Sequence, residues 1–330
     1  MSRLPPVEPH LGEEEAEAAF GAILDAEVSD EEIARFLVEL SERGETAAEI
    51  AGAARALRAR LIPVDAPANA IDVCGTGGDG HHTLNVSTAV ALVVAACGVP
   101  VAKHGNRAAS SKAGATDTLE ALGLDMDKAG QTAEATLKDL GICFLHAANH
   151  HPAMRRIQPI RKAIGRRTIF NLMGPLSNPA RVGRQLIGIA RPAYVPIYAQ
   201  AMVALGTERS MIVSGDEGLD ELSLAAGNEL ADVAGNDFEM HRFDCAQAGL
   251  PHAPVEAIRG GDAAHNAAAL RALLMGAPGP YRDAVLLNAA AALLIAGEVE
   301  DWPGGVEEAA EALDKGLAKA LLDCWIAAVR

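Results

Sequence analysis

Residues 12–61 alternate apolar and polar positions with the spacing of amphipathic helices. One apolar face is formed by Ile33, Phe36, Leu37 and Leu40. Two S/T-x-x-E capping boxes, at residues 29–32 and 46–49, mark helix starts, because the hydroxyl and the carboxylate of such a box each satisfy a free backbone N–H. Gly44 ends the helix between them. The pattern predicts a small bundle of three helices, followed by a linker at 63–67.

Beyond the linker, the pattern changes to strand, loop and helix. Short apolar runs predict strands at 70–73, 99–102, 142–145, 185–190 and 210–214. Helical periodicity predicts helices at 87–97, 116–122, 128–140, 154–167 (interrupted at Pro159) and 195–205. The alanine- and leucine-rich tail, 263–329, predicts further helix. Strands separated by helices indicate an α/β domain with a mainly parallel central sheet.

The chain is therefore predicted to form two domains. Residues 1–66 form a small all-helical domain, which part of 150–180 is expected to join, and residues 67–330 form a large α/β domain. A unit of three helices is small for independent stability. Some of its apolar face is therefore expected to meet another subunit.

Composition narrows the possible functions. Lysine and arginine number 28 against 44 aspartates and glutamates, a net charge of −16, and aromatic residues make up 3%. Such a surface does not favour nucleic-acid binding, which begins with neutralisation of phosphates. No apolar run approaches the length of a membrane span, and the first residues lack the apolar core of a secretory signal. Five separated cysteines fit a reducing compartment, so we expect a cytoplasmic protein.

The stretch AIDVCGTGGDG, residues 70–80, contains G-x-G-x-x-G directly after a predicted strand. A dinucleotide site would need a helix beginning at the last glycine and an acid after the second strand. Instead, HHTLNVS separates the glycines from the helix, and the second strand ends in basic KHGNR. No Gly-Lys-Ser/Thr closes a P-loop. Neither nucleotide motif is therefore favoured.

The glycine loop still has the features of an anion site, because closely spaced glycines let backbone N–H groups approach an oxyanion. Polar groups and a helix start follow it at Thr83, Asn85, Ser87 and Thr88. The second strand ends in KHGNRAASSKAG, which supplies Lys103, Arg107, Lys112, Ser110 and Ser111. Neighbouring parallel strands end at the same edge of a sheet, so two phosphate sites are predicted side by side. Two ordinary glycine-rich turns are the alternative.

A third element, SGDEGLDELS at 214–223, follows a predicted strand. Its adjacent acids offer the hard oxygen ligands that Mg²⁺ prefers, with water and substrate phosphates completing the coordination. A solvated acidic turn is the alternative, and beside two phosphate sites the metal site is favoured.

Four motifs together resemble a known family. DVCGTGGDG with TLNVSTA, VAKHGNRAASSKAGATDTLEALG, HHPAMRRIQPIRKAIGRRTIFNLMGPLSNPA and GLDELS resemble the anthranilate phosphoribosyltransferases, from about residue 30 to about residue 300. The resemblance implies a helical domain used for homodimerisation and a catalytic α/β domain. It also implies transfer of phosphoribose from 5-phosphoribosyl 1-pyrophosphate to anthranilate, in tryptophan biosynthesis, with Mg²⁺, for which two ions per subunit are expected.

The resemblance also assigns residues to roles. It places at the phosphoribosyl donor Gly75, Gly78, Asp79, Thr83, Asn85, Val86, Ser87, Thr88, Lys103, His104, Gly105, Asn106, Arg107, Ala108, Ala109, Ser110, Ser111 and Ala115. It places at anthranilate Gly75, Asn106, Arg161, Gly174 and Pro175, and at the metal Ser87, Asp220 and Glu221. Lys103 with Asp220 and Glu221 is expected to be catalytic, by stabilising charge on the departing pyrophosphate.

Spacing alone does not choose among the arginines of the basic stretch at 154–167, although a guanidinium is the natural partner of a carboxylate. His146, Ala148 and Ser214 depart from the family pattern, which leaves the fit of the acceptor open. His146 and His150, at i and i+4, allow a zinc interpretation, but no third ligand is evident.

Two alternative functions remain from the sequence. A nucleoside phosphorylase of the same fold would use inorganic phosphate and would not need the acidic pair of GLDELS. A non-catalytic relative that binds nucleic acid is disfavoured by the net charge of −16.

Overall fold

The computed structural model describes residues 4–107 and 112–330, and within them lie seven β-strands and fifteen α-helices. The strands are β1 (Ile71–Gly75), β2 (Val101–Gly105), β3 (Ile142–His146), β4 (Arg184–Gly188), β5 (Arg209–Gly215), β6 (Asn228–Ala234) and β7 (Asp237–Phe243). The helices are α1 (Glu13–Leu24), α2 (Asp30–Arg43), α3 (Ala47–Arg58), α4 (Val86–Ala96), α5 (Ala115–Leu122), α6 (Met126–Gln131), α7 (Ala133–Leu140), α8 (Ala147–His150), α9 (Met154–Ile164), α10 (Met173–Leu176), α11 (Val195–Ala204), α12 (Ala263–Leu274), α13 (Pro280–Ala296), α14 (Trp302–Asp314) and α15 (Leu317–Ala328).

All seven strands belong to one sheet, in the order β3-β2-β1-β4-β5-β6-β7. The first five in this order pair in parallel, and β6 and β7 are antiparallel. The prediction of an α/β fold with a mainly parallel sheet and a small N-terminal helical unit is confirmed.

The two faces of the sheet contribute to different cores. Ile71 and Val73 of β1 pack with α4 and α13, whereas Ile187 of β4 and Ile212 of β5 pack with α1–α3 and α11. This division follows from the strand geometry, since successive side chains point to opposite faces. The central strands are buried on both faces, and the polar residues Asp72, Lys103 and His104 are buried in them together with the apolar ones.

The helical bundle of α1–α3 also contains residues from the segment after β3. Phe20 of α1 lies with its ring 5.8 Å from that of Phe36 of α2 and 5.8 Å from that of Phe170. Ile157 and Ile160 of α9 are buried in the same cluster. The segment after β3 therefore packs with α1–α3, so the apolar faces of the bundle are covered within this chain.

The two predicted capping boxes have different outcomes. At Thr46 and Glu49, both reciprocal hydrogen bonds form at the start of α3. At α2, the Ser29 hydroxyl accepts from Glu32 N, but the Glu32 carboxylate accepts from Leu4 N at 2.9 Å instead of returning to Ser29. The capping box of α2 is therefore only half formed, because the Glu32 carboxylate bonds to the backbone of the chain before α1.

Several predicted helix boundaries were wrong. The predicted helix at 128–140 is two helices, α6 and α7, that meet at Thr132. Helix α9 continues through Pro159, because Ile157 and Ile160 hold it against the core, and it ends at left-handed Gly165. The tail was predicted as further helix, and it forms four helices, α12–α15.

The hairpin of β6 and β7 was not predicted. Most of β7 is exposed, and its sequence DFEMHRF lacks the apolar alternation of a half-buried strand. Pairing of β6 with β5 on one side and β7 on the other defines the hairpin. The turn dipeptide Gly235-Asn236 was the one local signal.

Among the described residues, none of the helices combines the length and the apolar composition needed to cross a bilayer.

Glu49 should be a large contributor to stability. Its fully buried carboxylate lies 2.5 Å from Arg43 Nη2 and accepts from Leu11 N at 3.0 Å and from Thr46 N at 2.8 Å. Removing one partner of a buried ion pair leaves an uncompensated charge. Glu49→Ala is therefore expected to lower the free energy of unfolding by about 3–5 kcal/mol, measured by urea denaturation.

Glu39→Ala is the matched control, because the Glu39 side chain is 48% exposed and forms a long ion pair with Arg35, at 4.0 Å. Its expected cost is below about 1 kcal/mol. Equal losses in the two variants would contradict this role of Glu49.

Candidate active site

The candidate site lies at the carboxyl ends of the parallel strands. The chain builds the sheet outward from β1 in one direction through β2 and β3, then returns to add β4 and β5 on the other side of β1. Ligands of open α/β sheets bind in the crevice at such a reversal. The glycine loop follows β1 and the acidic segment follows β5, so both lie at this edge of the sheet.

Two glycines make room for the acidic segment. Gly75 at the end of β1 pairs with Gly188 at the end of β4. A Cβ on Gly75 would lie 2.2 Å from Asp220 Oδ2, and a Cβ on Gly188 would lie 1.7 Å from the backbone oxygen of Asp220. The acidic segment therefore crosses directly over these two strand ends. Gly188 was not singled out from the sequence, since a glycine that ends a strand carries no local signal of what lies above it.

Asp220 and Glu221 are held by backbone N–H groups of the predicted phosphate site. Gly77 N donates to Asp220 Oδ2 at 2.6 Å, and Ser87 N donates to Glu221 Oε1 at 3.1 Å. Ser87 lies in the first turn of α4, where the helix dipole favours negative charge. The anion site predicted here stays a prediction, and in this structure carboxylates of the chain itself accept from these two amides.

Negative charge is concentrated here. Burial raises the pKa of Asp220, and so does the nearby carboxylate of Asp79. Burial also raises the pKa of Glu221, as does Asp220, while Lys103 opposes this. Together with the Ser87 hydroxyl, these carboxylates fit Mg²⁺, which takes oxygen ligands and whose charge would offset their repulsion.

Successive residues of β2 face in different directions. Lys103 is buried, and its Nζ donates to Val73 O at 2.7 Å, which leaves two further N–H groups on the ammonium. His104 turns to the other face, where its Nδ1 lies 2.9 Å from Gly174 O. His104 therefore adjoins the segment predicted to contact anthranilate.

The second ring at that position belongs to His151, a residue that the sequence did not single out as functional. The His104 and His151 rings meet edge to face at 5.3 Å. Burial lowers the pKa of His104 to about 3 and that of His151 to about 4. Both rings are therefore neutral at pH 7. Next to Gly174, Pro175 is buried in α10.

Asn85 is oriented by its neighbours. Its side-chain oxygen accepts from Thr118 Oγ1 at 2.5 Å and from Asn266 Nδ2 at 2.9 Å. Its backbone oxygen accepts from the Tyr281 hydroxyl at 3.2 Å. The amide nitrogen keeps its two donors, and no acceptor for them lies among the described residues.

The remaining donor-site residues around α4 are placed as follows. Thr83 forms an isolated antiparallel bridge with Arg259, which ties the glycine loop to the chain before α12. Val86 is buried at the start of α4. The Thr88 hydroxyl is buried and has no partner in the parts of the chain that the structure describes.

The second predicted phosphate site is described only in part. Gly105 ends β2 where a Cβ would lie 2.7 Å from the Phe144 ring, and Ala115 begins α5. Asn106 is exposed at the strand end, while Arg107 donates to Glu120 at 2.6 Å and to Asp117 at 2.9 Å. The Arg107 charge, expected to be free for phosphate, is therefore paired with two carboxylates. Ala108, Ala109, Ser110 and Ser111 lie outside the described residues.

Arg161 differs from the other basic residues around it. It is partly buried on α9, its guanidinium lies 5.9 Å from the Phe170 ring centre, and burial lowers its pKa. Within residues 4–107 and 112–330, no carboxylate or hydrogen-bond acceptor is paired with it. Three neighbouring arginines are already bonded, Arg156 to Asp30, Arg166 to Glu42 and Arg167 to the glycine loop. Arg155 and Lys162 are exposed. Burial without a counter-charge thus distinguishes Arg161, as spacing could not.

The histidines considered for zinc bond in different places. His146 Nδ1 lies 3.1 Å from Thr116 Oγ1, and His150 Nδ1 lies 3.0 Å from Ile62 O. These contacts account for both rings without a metal. Of the other departures from the family pattern, Ala148 is exposed and Ser214 is fully buried in β5.

Comparisons with known proteins give a single family. Residues 67–319 match the model described as glycosyl transferase family, a/b domain, and residues 8–61 match the helical bundle domain of the same family. An anthranilate phosphoribosyltransferase from Novosphingobium aromaticivorans is 75% identical over 329 residues, covering 100% of each chain.

Solved structures agree. The crystal structure of anthranilate phosphoribosyltransferase from Thermus thermophilus has a TM-score of 0.90 and 43% identity, covering 97% of this chain and 96% of its own. The enzyme of the same name from Saccharomyces cerevisiae, in complex with PRPP and Mg, has a TM-score of 0.89 and 28% identity, covering 99% of this chain and 96% of its own.

These relatives support neither the nucleoside phosphorylase nor the nucleic-acid-binding alternative. The family model of the a/b domain spans well over half of the chain, and the identity to the Novosphingobium protein extends over its whole length. The chain therefore belongs to the anthranilate phosphoribosyltransferases, within the glycosyl transferase family that combines a helical bundle domain with an a/b domain.

Proposed function

We propose that the chain transfers the 5-phosphoribosyl group of 5-phosphoribosyl 1-pyrophosphate to the amine of anthranilate, releasing pyrophosphate, as a step of tryptophan biosynthesis. The observation that carries this proposal is the acidic pair, Asp220 and Glu221, held against the glycine loop and the start of α4. A phosphorylase acting with inorganic phosphate has no need of a metal at this point. The names of the relatives and the PRPP and Mg bound to the yeast protein support the same activity.

The donor is proposed to bind along the strand ends. Its residues would be those of the glycine loop, the loop before α4, the end of β2 and the start of α5, namely Gly75, Gly78, Asp79, Thr83, Asn85, Val86, Ser87, Thr88, Lys103–Ser111 and Ala115. The free amide donors of Asn85 and the two remaining N–H groups of Lys103 suit oxygen acceptors.

Ser87, Asp220 and Glu221 would hold Mg²⁺, with two ions per subunit. When bound, Mg²⁺ neutralises negative charge on the pyrophosphate. The carboxylates are fixed by backbone N–H groups before any ligand arrives, so little reorganisation is needed.

The reaction needs placement more than a strong base. The amine nitrogen forms a bond to C1 of the ribose while the bond from C1 to the pyrophosphate oxygen breaks, and the electron pair leaves with the pyrophosphate. The nitrogen then releases one proton to water or to the departing pyrophosphate. An arylamine is uncharged at neutral pH and is already a nucleophile. Lys103 would stabilise the leaving group from beneath, and we assign no general base.

Anthranilate is proposed to bind through its carboxylate to Arg161, with Asn106, Gly75, Gly174 and Pro175 around it. A partly buried guanidinium without a counter-charge is a ready partner for a carboxylate. The neutral ring of His104, hydrogen-bonded to Gly174, adjoins this wall.

We further propose a cytoplasmic homodimer joined through the helical domain, with domains at 1–66, including part of 150–180, and 67–330. Support comes from the family resemblance. The small size of the bundle does not by itself require a second subunit, because its apolar faces are covered by α9 and α11 in this chain.

Light scattering would test the dimer, and a monomer at micromolar concentration would contradict it.

Purified protein mixed with anthranilate, 5-phosphoribosyl 1-pyrophosphate and Mg²⁺ is expected to consume anthranilate, measured by loss of its fluorescence. The loss should require all three components and should stop on addition of a chelator. Binding of the donor without any loss of anthranilate would contradict the proposed acceptor.

Asp220→Asn combined with Glu221→Gln is expected to lower kcat/KM by at least about a thousandfold, since charge on the leaving group loses its stabilisation. Asp216→Asn is the control, because Asp216 lies in the same segment but pairs with Arg242 at 2.6 Å. Near-normal turnover in the double variant would refute the metal assignment.

Arg161→Ala is expected to raise KM for anthranilate by about 10- to 100-fold, the effect of losing hydrogen bonds to a charged group. KM for the donor should change little. Arg155→Ala, on the exposed side of α9, is the control. An effect confined to the donor would mean that another arginine binds the carboxylate.

A further inference from the structure

Arg167 connects the helical bundle to the glycine loop. It follows α9 in the chain, and its backbone oxygen accepts from Ser41 Oγ of α2 at 2.9 Å. Its guanidinium donates from Nη1 to Gly78 O at 2.7 Å and from Nη2 to Gly77 O at 3.1 Å. One residue is thus bonded to both parts of the structure.

The hydrogen bonds from Arg167 to the carbonyls of Gly77 and Gly78 fix the direction of the two N–H groups in the same peptide units. A peptide unit is planar and trans, so its N–H points away from its C=O. When Arg167 holds Gly77 O and Gly78 O on its own side, the amides of Gly78 and Asp79 face the opposite side. Neither amide has a hydrogen-bond acceptor among the residues that the structure describes. Both are therefore available to an oxyanion.

The glycine loop needs such an anchor. Gly77 and Gly78 have φ values of +72° and +74°, in the left-handed region that glycine enters at no steric cost. Because glycine adopts negative φ values just as easily, the two glycines do not by themselves fix the orientation of these peptide planes. On the other side of the loop, Gly77 N is held by Asp220 at 2.6 Å. Arg167 supplies the opposing contact.

The absence of a side chain at residue 78 leaves the space that the Arg167 guanidinium occupies. A Cβ on Gly78 would lie 2.6 Å from Arg167 Nη1. The guanidinium therefore lies where a side chain at residue 78 would otherwise begin. A planar fork with parallel donors suits two neighbouring carbonyls better than a single ammonium does.

We propose that Arg167 is a positioning residue for the phosphoribosyl donor: by holding the carbonyls of Gly77 and Gly78, it turns the amides of Gly78 and Asp79 toward the pyrophosphate. Arg167 itself does not contact the substrate. The inference rests on the proposed function, since it takes the glycine loop as the donor site.

The test compares Arg167→Gln and Arg167→Lys with Arg166→Gln. Arg166 is the adjacent residue, and within the described residues its bond is to Glu42, at 2.7 Å on the surface. For each variant, steady-state kinetics give KM for both substrates, calorimetry gives the affinity for inorganic pyrophosphate with Mg²⁺, and thermal unfolding gives Tm.

Arg167→Gln is expected to raise KM for the donor and to weaken pyrophosphate affinity, each by about 10- to 100-fold. This is the size of effect expected for lost hydrogen bonds to a charged group. KM for anthranilate should stay within about twofold. Arg167→Lys should lie between the wild type and the Gln variant, because one ammonium can replace part of the fork. Arg166→Gln should match the wild type in every measurement.

Unchanged donor KM and pyrophosphate affinity in Arg167→Gln would overturn the proposal. Equal rises in KM for both substrates would also overturn it, because they indicate a general structural role. If Arg167→Gln does not fold, Arg167→Lys decides by the same criteria. Failure of the proposed function is separate: it would appear as absent turnover in the wild type, whereas pyrophosphate binding needs no acceptor and still tests Arg167.

Discussion

The parallel pairing of β1 with β4 places Gly75 beside Gly188, and Asp220 passes over this pair at a distance that no Cβ would allow. The rest of the site depends on this close approach. It brings the acidic segment within hydrogen-bonding distance of the glycine loop at Gly77 and of the first turn of α4 at Ser87. Two parts of the chain that are distant in sequence, the connection from β1 to α4 and the acidic segment, thereby meet at one point above the sheet.

The sequence was sufficient to predict the α/β class, and it places the proposed phosphate and metal motifs at the ends of predicted strands. The reason is that each motif comes soon after a short buried strand, and parallel strands end at a common edge. The glycine loop after β1 and the acids of GLDELS after β5 are the clearest cases. Local chemistry and topology agree there, so the motifs and the strand pattern together predict one edge of the sheet as the site.

The remaining features depend on contacts between residues far apart in the chain. Nothing in the sequence around Gly188 indicates that a loop lies over it, and Arg161 resembles its basic neighbours until their partners are known. β7 lacks a continuous apolar pattern because most of it is exposed, and Phe243, at its end, is its one buried residue, stacked on Trp302. Residue types thus predict which chemistry is present, while burial and pairing decide which of several similar side chains performs it.

The candidate site holds an uncompensated negative charge and an uncompensated positive charge on separate elements. Asp79, Asp220 and Glu221 gather negative charge at the strand ends, where burial and mutual repulsion raise the pKa of the last two. Arg161 on α9 is partly buried with no carboxylate beside it. Each arrangement costs stability in the free protein, as functional sites commonly do. Under the proposed assignment, a cation with the phosphorylated donor would offset the first charge, and the carboxylate of the acceptor would offset the second, so the charge pattern itself would direct the two substrates to different places.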